Sequence, residues 1–146
     1  MTAGPDNVER LRSALMSEHA ALYAYGRIGV HLNDAGRAEA RAAEVAHRGR
    51  RDALVVHLDQ VKASPAPADA GYTLPFPVID ETSALMLAEY VENGVTANWR
   101  SVLAATENEL RRLAIDGYSD AAVRATRWRK IAGQSPLRTA FPGRPG

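Results

Sequence analysis

Read at alternating steps of four and three, the stretch from Leu11 to Leu32 spells Leu11, Leu15, Glu18, Leu22, Tyr25, Gly29 and Leu32. That spacing holds one face of an α-helix against a neighbour for about six turns, and it restricts the chain to helices packed side by side. Glu18 stands in the middle of this apolar face. A carboxylate in a packed seam is costly unless a cation or a set of hydrogen-bond donors meets it. The seam therefore asks for polar partners from the other helices.

The next helical stretch supplies candidates. At the same spacing it reads Ala40, Glu44, His47, Arg51, Leu54, Leu58 and Val61, with three ionisable residues at consecutive seam positions. Glu44 and His47 are one turn apart and project from one face. Glu-x-x-His is the arrangement by which a helix offers a carboxylate and an imidazole to one metal ion. A third stretch reads Leu85, Ala88, Glu92, Val95, Trp99 and Val102, again with one carboxylate and an aromatic residue two turns later. Glu18 with Tyr25 and Glu92 with Trp99 are offset by 74 residues, as are Leu11 with Leu85 and Ala14 with Ala88. The pattern is that of a duplicated helix pair. The fourth seam, Ala114, Tyr118, Ala121, Ala125 and Trp128, carries no ligand: Tyr118 stands opposite Glu44, and Ala121 opposite His47.

Punctuation divides the chain into helices at about 7–33, 37–62, 81–105 and 107–132. Asn33-Asp34-Ala35-Gly36 breaks the first from the second. Asp80 or Ser83 caps the third, and Thr106 with Glu109 has capping-box spacing for the fourth. Residues 63–79 hold Pro65, Pro67, Pro75 and Pro77, which rules out helix and predicts a connection crossing the length of a bundle between two parallel helices. Gly26 and Gly29 are read as points of close helix approach, and Gly117 as a kink or close contact. The expected architecture is all-α: an up-down four-helix bundle over 1–134 and an extended tail over 135–146, with Phe141 pinning the tail to the body.

Composition narrows the chemistry. There is no Cys, which removes disulfides and thiolate sites. A net charge of +1 gives no general attraction to nucleic acid or anionic lipid. No apolar run approaches the roughly 20 residues of a membrane span, and Met1 to Arg12 lack the apolar core of a signal peptide, so the expected location is the cytoplasm. The basic groups Arg37, Arg41, Arg48, Arg50 and Arg124, Arg127, Arg129, Lys130 read as solvated faces, and Tyr25 and Trp99 as core packing.

The duplicated pair, the long connection, Glu18 and Glu92, and Glu44-x-x-His47 together resemble the ferritin-like superfamily. The stretches Glu18 to Gly26, Leu74 to Val78 and Ala140 to Gly143 resemble an uncharacterised bacterial ferritin-like domain family. The superfamily resemblance implies a di-iron or di-manganese carboxylate centre, for which Glu18, Glu44, His47 and Glu92 match and the fourth helix lacks its share. Two solutions fit the remaining set. One is a single divalent ion with these four ligands, Fe or Mn being the alternative cofactor. The preferred one is charge compensation without a cofactor, by the guanidinium of Arg51, with Tyr118 reaching a core carboxylate. The leading expectation is a degenerate, non-catalytic bundle acting by association as a homodimer, its apolar surface including Val30, Met86 and Tyr90. The alternatives are a metal-dependent oxidase or hydroxylase and a small-ligand binder.

Overall fold

Each helix starts and stops where its residues dictate. The structure, a computed structural model, describes residues 5–65, 67, 68, 71–134, 142 and 143. Helix α1 spans Pro5–Ile28, α2 Asp34–Gln60, α3 Glu81–Leu103 and α4 Asn108–Ile131, and no strand occurs among the described residues. After Ile28 the chain tightens into a 3-10 turn over Gly29–His31, so α1 is shorter than the expected 7–33. The Asn33 side chain then accepts from the Gly36 N–H and starts α2 three residues earlier than its apolar pattern suggests. Asp80 caps α3 in a reciprocal arrangement with Ser83. The capping box expected from Thr106 does not form. Glu107 is the N-cap of α4 without a side-chain bond, and Thr106 is buried with its hydroxyl unpartnered.

The core divides into two apolar clusters. The first joins Leu11, Ala14 and Leu15 of α1 to Leu54 and Leu58 of α2, Val95, Trp99 and Val102 of α3, and Ala114 and Ala121 of α4. The second joins the end of α1 (Tyr25, Ile28) to the start of α2 (Ala40, Ala43), the start of α3 (Ala84, Leu85, Ala88) and Trp128 near the end of α4. Helices α2 and α3 thus both run from the second cluster toward the first. The described residues between them are 61–65, 67, 68 and 71–80. Along these Arg12 donates to the Ser64 carbonyl, Tyr23 meets Tyr72, and Leu74, Phe76 and Val78 pack against the second cluster.

Glycine placement follows packing rather than the sequence expectation. A Cβ on Gly26 or Gly29 would meet nothing within 4 Å, so neither marks a close helix contact. Gly117 does: a Cβ there would lie 2.7 Å from the Trp99 indole. The tail is described only at Pro142 and Gly143. The Pro142 carbonyl accepts from Tyr118 and Arg100, and the Gly143 backbone lies against Thr96 and Ala97. The expected anchor Phe141 lies outside the described residues.

Candidate functional site

Between the two apolar clusters lies a belt of buried polar side chains. Glu18, His47 and Glu92 come from α1, α2 and α3, and each is fully shielded from solvent. His47 spans the two carboxylates, with Nδ1 2.5 Å from Glu18 Oε2 and Nε2 2.7 Å from Glu92 Oε1. Both ring nitrogens face acceptors, so the imidazole donates twice only as the cation. Burial alone would lower its pKa; hydrogen bonds and charge from Glu18 and Glu92 outweigh that and raise it to about 9. The protonated Nδ1 leaves no lone pair for Arg50 Nη2, which lies 3.3 Å away.

The remaining donors converge on the same carboxylates. Glu18 Oε1 accepts from Trp99 Nε1 at 2.8 Å and from Arg50 Nε at 3.1 Å. Burial would raise the Glu18 pKa, but His47, Arg50 and Trp99 together hold it below the usual carboxylate value. Glu92 Oε1 accepts from the Tyr25 hydroxyl at 2.6 Å, and that hydroxyl accepts from Trp128 Nε1 at 2.9 Å. Burial and the neighbouring Glu92 charge push the Tyr25 hydroxyl well above its ordinary pKa, so it stays a donor. At the rim, Asp120 Oδ2 accepts from Arg50 Nη1 at 2.8 Å and from Arg124 Nη1 at 2.5 Å. Burial raises the Asp120 pKa, and the two guanidinium groups lower it further than that. The charges balance: Glu18 and Glu92 against His47 and Arg50, then Asp120 against Arg124.

The residues singled out from sequence divide accordingly. Glu18, His47 and Glu92 meet at the centre. Glu44 is only partly buried and makes no hydrogen bond or ion pair among the described residues. Arg51 turns outward onto Asp52, and the compensating guanidinium belongs to Arg50 instead. Tyr118 bonds the Pro142 carbonyl rather than a core carboxylate. Tyr25 and Trp99, read as packing, also donate to the centre. Arg50 and Arg124, read as solvated, are 9% and 4% exposed.

Two phases of the four-three pattern share Ala40, His47 and Leu54, and the structure chooses Ala43 and Arg50 over Glu44 and Arg51. On helix α4 the expected Ala114, Ala121, Ala125 and Trp128 are buried, but Gly117 rather than Tyr118 holds the position between Ala114 and Ala121, and Arg124 is buried beside Ala125. The 74-residue offset held the missing signal, because it pairs Arg50 with Arg124. Both arginines end on Asp120, and the aromatic residue of each half donates to the carboxylate of the other: Tyr25 to Glu92, Trp99 to Glu18.

The family described as a domain of unknown function, DUF4439, matches residues 10–146. The chain belongs to this family. A crystal structure of another protein resembles it closely, that of a conserved hypothetical protein, rv2844, from Mycobacterium tuberculosis. The two share 31% sequence identity and a TM-score of 0.84, over 88% of this chain and 99% of that one. No curated protein matches. No helix among the described residues is long and apolar enough to cross a membrane.

A metal centre fits this donor set poorly. Both imidazole nitrogens are engaged by carboxylates, and three of the four oxygens of Glu18 and Glu92 already hold donors. A metal ion needs the imidazole neutral and the carboxylate lone pairs free. It would also sit beside the Arg50 guanidinium. No group of three or more acidic or His side chains among the described residues has the geometry to hold an ion.

Proposed function

We propose that this chain is a ferritin-like bundle in which a fixed network of ion pairs stands where relatives of that superfamily hold two metal ions, and that it acts by association with a second copy rather than by catalysis. The observation that carries the reading is His47 clamped between Glu18 and Glu92 with Arg50 beside it. That arrangement neutralises the central carboxylates internally and leaves one of their four oxygens, Glu92 Oε2, without a donor, too few for a metal ion. The opposed ends of the four helices, with α2 and α3 running the same way, and the repeated Glu18/Glu92 pair support the ferritin-like topology. The exposed apolar side chains Val30, Ile79, Met86 and Tyr90 support association, since such groups on a surface favour burial against a partner.

The test takes protein purified without chelator. The expected result is Fe, Mn and Zn far below one ion per chain, and a solution mass of two chains. Stoichiometric metal overturns the ion-pair reading. A monomer at high concentration overturns the association.

A further inference from the structure

The polar belt is a ring of contacts with one gap. Starting at Glu92 Oε1, it passes through His47, Glu18, Arg50 and Asp120 to Arg124. Its two ends are Glu92 Oε2 and Arg124 Nε. Both atoms are buried and without a hydrogen-bond partner, in side chains that are 0% and 5% exposed. A third buried atom without a hydrogen bond, Glu39 Oε1, lies 3.6 Å from Arg124 Nε and 3.5 Å from Arg127 Nη1, too far for a good direct bond to either. These ends belong to one region. Arg124 is one turn before Trp128, whose indole reaches Tyr25, which in turn reaches Glu92. The charge of Glu92 also acts on Arg124.

We propose that one internal water molecule closes this ring, accepting from Arg124 Nε and donating to Glu92 Oε2 and Glu39 Oε1. The chemistry of the three atoms selects the ligand. Two acceptors and one donor call for a molecule with two O–H groups and a lone pair on a single centre. A cation would face Arg124 and the His47 imidazolium, and an anion would face Glu92 and Glu39. Ammonium has no lone pair, and an alcohol has only one O–H. Buried waters commonly make about three bonds to such otherwise unpaired groups. The water would link Glu92 to Arg124 within the second half of the duplicated chain, where Arg50 bonds Glu18 directly in the first.

Oxygen-17 magnetic relaxation dispersion on the full chain detects internal waters of long residence. The expected result is a long-lived water in the native protein and its loss in Arg124→Met. Glu39→Ala removes a partner at the partly exposed rim, where the fold tolerates it. It should shorten the residence time roughly fivefold, the worth of one hydrogen bond of about 1 kcal/mol. A high-resolution crystal structure should place one oxygen within bonding distance of all three atoms. Absence of a long-lived water, an unchanged signal in both variants, or Arg124 Nε bonded directly to Glu92 Oε2 would each overturn the proposal.

Discussion

Removing His47 exposes the logic of the central charges. Two carboxylates fully buried on neighbouring helices repel one another, and among the described residues the imidazolium is the one group that touches both. Replacing it by leucine leaves two negative charges with Arg50 as the remaining close cation. Breaking a buried pair on one side costs about 3–5 kcal/mol, and His47→Leu should lose that much in denaturant unfolding. Glu44→Ala should stay within about 0.5 kcal/mol of the native protein, because Glu44 makes none of the network's contacts. Equal losses for the two variants would contradict the assignment of the centre. The exchange of donors between halves, Tyr25 to Glu92 and Trp99 to Glu18, also means that each indole or phenol orients a carboxylate it does not share a helix pair with.

Among the helical glycines, the tightest approach is that of α4 to α3 at Gly117. The Trp99 indole lies against its backbone, with three ring atoms within 2.8 Å of where a Cβ would stand. Trp99 is fully buried and its Nε1 is bonded to Glu18, so it has no free direction in which to yield. Gly117→Ala should therefore destabilise by about 1–3 kcal/mol through overpacking, despite the better helix propensity of Ala. Gly94 on the exposed side of α3 is the contrast: a Cβ there meets nothing within 4 Å. Gly94→Ala should raise stability by about 0.5–1 kcal/mol. Thermal melts of the two variants decide the matter, since opposite signs are expected from the same substitution.

For the molecule as a whole, the belt makes stability a function of pH on both sides. The folded-state pKa of His47 near 9 lies above the 6.5 of an unperturbed imidazole, so the unfolded chain gives up its proton first. This contribution is complete below about pH 6.5 and is lost as pH rises through about 9. Glu18 and Asp120 act in the opposite sense. Their lowered pKa values contribute stability above the ordinary 4.5 and 3.8, and that stability is lost as pH falls through the folded-state values. The melting temperature should therefore be highest near pH 6 and fall toward pH 9, with the alkaline fall absent in His47→Leu. A native profile flat to about pH 10 would show that His47 is not held as the cation.

How much of this was written in the residues differs by level. Helix α3 was fully legible: Leu85, Ala88, Glu92, Val95, Trp99 and Val102 were read from spacing alone, and all are buried. Glu18, His47 and Glu92 were legible for the same reason, because a charge on an apolar stripe is conspicuous in one dimension. Arg50 and Arg124 were not. Along α2 and α4 two helical phases differ by one residue on the flank of the face, and local periodicity weighs them almost equally. Contact with the other helices separates them, burying Ala43, placing Gly117 where a Cβ would strike the Trp99 indole, and turning Arg50 and Arg124 inward. By itself the amino-acid sequence determined the helices, the duplication and the charges that had to be buried. Tertiary structure alone decided which cations meet them, because a 3.6-residue turn leaves the last few tens of degrees of rotation to packing.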